Sequence, residues 1–178
     1  MNLKLLSIFL IISHIVFYSC TNSSARAKSN SSKINISVKD KDDSVSIPKS
    51  ECDPNLWKYV YDAQRLQVLD KCKVVTGVIE ETNADEDGDQ HMLLRLDKGQ
   101  KELLTKKNKS KKQGDLVIEA VCINNITRKK AIGACTGYVN RVQLPGVGDH
   151  VKVTGSYVID THNGWAEIHP ISKIEIIK

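Results

Sequence analysis

The sequence predicts a mainly β domain over residues 51–178, and three features predict it. Short runs rich in β-branched residues recur, two of them carry a mid-run glycine, and Gly, Pro and Asp punctuate the stretches between. Residues 53–70 bring Trp57, Tyr59, Tyr61, Leu66, Val68 and Leu69 as an apolar lead-in, read as a short helix or an irregular packed segment. Lys73 to Glu80 (KVVTGVIE) is the first strand, with Gly77 marking a bulge or strong bend. His91 to Asp97 (HMLLRLD) alternates, placing Met92, Leu94 and Leu96 on one face and His91, Leu93 and Arg95 on the other. Leu116 to Cys122 (LVIEAVC) is the third strand, Arg128 to Thr136 a short helix, and Pro145-Gly-Val-Gly-Asp a break. His150 to Asp160 (HVKVTGSYVID) is a long fourth strand containing Gly155. Trp165 to Ile177 is the fifth, with Pro170 at an edge or a bulge. Five curved strands with one short helix between the third and fourth describe an OB-fold-like Greek-key barrel. A six-stranded variant or a small β-sandwich fits the same runs.

Composition sets the class before the details. Of 178 residues, 40% are hydrophobic and 26% charged, and Gly and Pro number 10 and 4, which excludes collagen-like, wholly disordered and polytopic membrane chains. Lys and Arg exceed Asp and Glu by 26 to 21, too small and too uneven an excess to signal nucleic acid.

The N-terminus reads as an address. Lys4 precedes an apolar run from Leu5 to Ser19, shorter than the roughly 20 residues a membrane helix needs, so residues 1–19 read as a signal peptide. Cys20 directly after it, with Ser19 before, has the position of the lipidated cysteine of a bacterial lipoprotein, although Phe17 and Tyr18 are bulky for that motif. Cleavage at Ala25-Arg26-Ala27 is the rival, and gives a soluble periplasmic or secreted protein. Residues 20–50, serine-rich and without aromatics, read as a flexible tether. The sequons at Asn22, Asn30, Asn35, Asn108 and Asn125 matter only in a eukaryotic host.

Setting Cys20 aside leaves Cys52, Cys72, Cys122 and Cys135, an even number that in an exported domain predicts two disulfides. Three connectivities are open, and Cys52 with Cys72 and Cys122 with Cys135 is favoured as closing short local loops. Four-cysteine zinc binding lacks its close C-x-x-C pairs.

Asp87-Gly-Asp-Gln-His91, Val147-Gly-Asp-His-Val-Lys-Val-Thr-Gly-Ser-Tyr-Val and Gly164-Trp-Ala-Glu-Ile-His-Pro170 together resemble a group of exported bacterial lipoproteins with an OB-like domain, over roughly residues 65–178. That resemblance implies a fold and an address and brings no activity.

Chemistry has to come from the residues. Glu80 to Asp89 holds six carboxylates in ten residues. Asn83-x-Asp85-x-Asp87-Gly88 echoes the opening of a calcium loop, but Leu94 stands where the closing Glu belongs. In an OB barrel the first-to-second and fourth-to-fifth loops flank one face. Asp87, Asp89 and His91 are therefore expected to approach Asp160, His162, Trp165 and Glu167 as a ligand-binding rim. His91, His162 and His169 are candidate ligands for a divalent metal, with Glu167 and His169, which share a strand face, as candidate acid–base groups. For each histidine the plainer role is a hydrogen-bonded strand-end residue, and for Trp165 a core plug. Lys101 to Lys112 carries six lysines in twelve residues and reads as a basic loop without the interleaved aromatics of a single-strand binder.

These readings converge on a lipid-anchored binding module at the bacterial cell envelope, with an envelope protein or an anionic glycan as partner, nucleic acid disfavoured and no resident cofactor. The alternatives are a metal-dependent hydrolase of phosphodiester or glycan substrates, and a structural subunit of an envelope complex.

Overall fold

The structure is a computed structural model that describes residues 51–178; the signal peptide, Cys20 and the tether lie outside the described residues. Five strands form one mixed sheet: β1 (Leu66–Ala84), β2 (Gln90–Leu96), β3 (Leu116–Ala120), β4 (His150–Asp160) and β5 (Ala166–Ile176). β1 runs antiparallel to both β2 and β4, β2 antiparallel to β3, β3 parallel to β5, and β5 antiparallel to β4. The order β1-β2-β3-β5-β4 returns to β1, so the sheet closes on itself.

Closure explains why β1 outruns the expected Lys73–Glu80 at both ends. Its first part pairs with β4 and its last part with β2, and Gly77 belongs to both ladders, opposite Val151 and Leu96. A Cβ at Gly77 would drive into the Arg95 carbonyl, with the carbonyl carbon 2.9 Å away, so the bend needs a residue without a side chain. Gly155 does the same for β4. A Cβ there would lie 2.6 Å from Ile168 Cγ2 and 2.5 Å from the Pro170 carbonyl oxygen. The β4–β5 register jumps at this point, pairing Gly155 with Ile171 and Tyr157 with Ile168, so the cis His169–Pro170 peptide sits in a bulge.

The expected alternation of β2 holds inward: Met92, Leu94 and Leu96 are buried with Val75, Ile79, Leu116, Ile118, Val151, Val153, Ile168 and Ile171. A second apolar cluster joins Leu56, Val60 and Leu66 to Val121, Cys122 and Val158. The lead-in that builds it is a pair of 3-10 turns, Pro54–Tyr59 and Ala63–Arg65, the first capped by Asp53 Oδ1 accepting from the Asn55 N–H. Tyr59 stacks on Tyr138 with ring centroids 3.9 Å apart. Two disulfides fasten these outer layers, Cys52–Cys72 and Cys122–Cys135.

The expected helix over Arg128–Thr136 is corrected to a single 3-10 turn, Lys129–Ala131. Gly133 interrupts that segment and Cys135 ties it back to β3. The α-helix, α1 (Lys106–Lys111), lies instead between β2 and β3, inside the lysine run read as a loop. Thr105 caps it reciprocally with Asn108, whose buried amide also donates to the Asp115 and Ala166 carbonyls at 3.0 Å each. Full burial of Asn108 also removes that sequon from use.

Gly77→Ala should lower stability by about 2–3 kcal/mol, the scale of forced overpacking. Urea unfolding measures it, and an unchanged midpoint would refute the closure argument.

Candidate functional site

One open cleft of about 650 Å³ lies where the two turns meet the outward faces of β2, β3 and β5. The end of β1 and its turn contribute Glu81, Asn83, Asp85 and Asp87, while β2, β3 and β5 contribute His91, Glu119 and Glu167. The β4–β5 turn brings Asp160, His162, Asn163 and Trp165. Tyr61, Asp62, Arg65, Lys112 and Arg128 complete the wall.

The two turns are held in different ways. In the β1–β2 turn the Asp85 N–H donates to the Asp89 carbonyl at 2.9 Å, and Gly88 takes a positive φ of 97°. The Gly88 carbonyl accepts from the N–H groups of Ile123 and Asn124, and the Glu86 carbonyl from those of Thr127 and Arg128. The segment after β3 therefore fixes the turn. In the β4–β5 turn Asp160 Oδ1 accepts from the His162 and Asn163 N–H groups at 2.8 and 3.0 Å. Its Oδ2 accepts from Asn163 Nδ2 and pairs with Arg65. Burial works against the Asp160 charge, but the Asn163 hydrogen bonds and Arg65 outweigh it and hold the carboxyl below its usual range. Lys112 Nζ sits 4.1 Å above the centroid of the Trp165 ring and 3.1 Å from His91 Nε2. Trp165 is thus a wall residue and not a core plug, its Nε1 donating to Glu167.

Behind the wall lies a buried ionic cluster. His169 is fully buried, and its Nδ1 is 2.9 Å from Glu119 Oε2 and 3.3 Å from Glu167 Oε2. Its Nε2 faces Asp89 Oδ2 at 3.6 Å. Asp89 Oδ1 accepts from the Cys122 N–H at 2.9 Å. Burial pushes the Asp89 carboxyl up to about 7, while His169 pulls against that and Asp87 adds to it. Burial also opposes the Glu119 charge, yet the His169 imidazole outweighs it and holds Glu119 down at about 2. The imidazole is in turn raised well above its usual range, Glu119 overcoming the cost of burial.

Of the rim residues read from sequence, Asp87, His91, Asp160, His162 and Trp165 line this cleft with Glu167, whereas Asp89 lies buried behind it. Glu167 and His169 do share a face and touch. His91, His162 and His169 are not brought together as one set of metal ligands: among the described residues His169 groups with Asp89 and Glu119. Sequence reasoning passed over Glu119 and Arg65. The signal for Glu119 was there, as the only charged residue in the apolar run Leu116–Cys122. No known family model matches the chain. No curated protein matches it either.

The Asp89 carboxyl generates a pH prediction. Its folded value near 7 lies above the ordinary 3.8, so its contribution to stability is full below pH 3.8 and is lost as pH rises to about 7. The loss is on the order of 4 kcal/mol. Urea midpoints of chelator-treated protein between pH 4 and 8 should show this decline, and Asp89→Asn should flatten it. An equal slope in the variant would refute the assignment.

Proposed function

We propose that this chain is an exported binding module, anchored through a lipid on Cys20, whose cleft takes a positively charged segment of an envelope protein. The observation that carries the reading is the charge of the cleft: with Asp160 paired to Arg65 and Glu119 and Glu167 to His169, the lining still offers Asp62, Glu81, Asp85 and Asp87 against Lys112 and Arg128. The whole chain is formally +5, so the negative potential is local and directed at this wall. That charge weighs against an anionic glycan and against nucleic acid, whose phosphates the wall repels. It suits Lys or Arg side chains, with Asp85 and Asp87 as rim partners and the Tyr61 ring as an apolar surface.

The fold supports the same reading. The order β1-β2-β3-β5-β4 with closure back to β1 agrees with an OB-like Greek-key barrel, in which the β2–β3 face between the two turns is the binding surface. The helix between β2 and β3 departs from that plan. Every strand already has two neighbours, so the alternative of a structural subunit recruited by strand pairing would need the ring to open. Two disulfides are compatible with an exported protein, and among the described residues no helix is long and apolar enough to cross a membrane.

Calorimetric titration of the protein with a lysine-rich peptide, beside an acidic polysaccharide at matched salt, tests the proposal. The peptide should bind one to one and weaken as salt rises. The double variant Asp85→Asn/Asp87→Asn should weaken it at least about fivefold. Saturable binding of the polysaccharide with none of the peptide would sink the reading.

A further inference from the structure

The buried cluster behind the cleft contains a discrepancy in its own bonding. Asp89 Oδ2 and His169 Nε2 are both inaccessible to solvent and neither has a hydrogen-bond partner. They face one another at 3.6 Å, beyond hydrogen-bond range. A buried polar group without a partner is a rarity that calls for an explanation. Here there are two, aimed at the same point.

Geometry chooses among the species that could occupy it. A water bridging the two atoms at about 2.8 Å from each would subtend an angle of only about 80°, well below its preferred arrangement. A zinc-sized ion about 2.0–2.1 Å from each donor would subtend about 120°, close to tetrahedral. The surroundings are those of a prepared ligand pair. The Nδ1 edge of His169 is held by the Glu119 and Glu167 carboxylates, which leaves Nε2 as the free donor, the arrangement that orients a metal-binding imidazole. The Cys122 N–H fixes Oδ1 of Asp89 and turns Oδ2 inward. Glu119, on the Nδ1 edge, belongs to the shell behind the imidazole, so the protein donors aimed at the point are Asp89 Oδ2 and His169 Nε2.

We propose that Asp89 and His169, with Glu119 orienting the imidazole from behind, bind a divalent transition-metal ion of the zinc type beneath the cleft floor. The nitrogen-plus-carboxylate donor set suits zinc better than calcium or magnesium, which favour oxygen alone. The two donors come from the β1–β2 turn and β5, which flank β3 in the sheet, so the ion would tie them across it. Glu119 lines the cleft, which supplies the path of entry.

The test uses protein purified from an exporting host with both disulfides formed, stripped with chelator and titrated with zinc chloride by calorimetry. Cobalt serves as a spectroscopic stand-in. One equivalent should bind, and cobalt should give the visible absorption of a low-coordinate nitrogen–oxygen site. Asp89→Asn keeps an acceptor for the Cys122 N–H and should weaken zinc at least about tenfold. His169→Gln should abolish the cobalt spectrum, and if that variant does not fold, Asp89→Asn and Glu119→Gln carry the test. The remote His150→Gln should bind as the parent does. Folded parent protein that takes up no zinc overturns the proposal. So does zinc binding that Asp89→Asn and Glu119→Gln leave unchanged but that His91→Gln/His162→Gln removes.

Discussion

Each strand of the closed five-stranded ring has two partners, and β1, the longest, reaches both of its own through a bend that depends on the approach of Gly77 to the Arg95 carbonyl. The two ladders of β1 overlap at Gly77 and Val78, with β4 alone before them and β2 alone after them. A side chain there would strain both ladders where β1 is shared between them. The second tight approach, Gly155 against Pro170 and Ile168, lets β5 carry its bulge without leaving β4. The outer face of β2, β3 and β5 is left between the β1–β2 turn at the end of β3 and the β4–β5 turn at its start.

The cleft is a consequence of how those turns are tied down. The β1–β2 turn does not hold itself. Its carbonyls at Glu86 and Gly88 are met by the backbone of the segment after β3, which Cys122–Cys135 secures. The β4–β5 turn is organised by one carboxylate, Asp160, which satisfies two backbone N–H groups and Arg65 together. Acidic residues that look interchangeable along the chain therefore divide by environment. Asp160 is a turn organiser, Asp85 and Asp87 face the cleft, and Asp89 is buried against His169 with a raised affinity for its proton.

Much of the strand pattern was legible. The run His150–Asp160 is β4 residue for residue, and the alternation of Met92, Leu94 and Leu96 points inward as read. The favoured cysteine pairing is the one present. What escaped did so for physical reasons. The helix α1 has no apolar stripe to announce it, since polar bonds fasten it: Asn108 to β5 and to the residue before β3, and the cap Thr105 to the Gly164 carbonyl. The first half of β1 is largely exposed, so hydropathy does not mark it as a strand. The rim was legible because the β1–β2 and β4–β5 turns lie at opposite ends of the short β3 and flank one face of the sheet, whereas the roles of Glu119 and Arg65 depend on tertiary contacts that no spacing encodes. The three-histidine grouping failed for the same reason.

The position of Trp165 has an optical consequence. The chain contains two tryptophans, and the other, Trp57, donates to Ser156 away from the cleft wall. The Trp165 indole is bracketed by a carboxylate at its N–H and an ammonium over its face, two charges close to the chromophore. A guest that draws Lys112 off the ring alters that balance. The cleft thus carries its own fluorophore, and occupancy can be followed by light on the unlabelled protein.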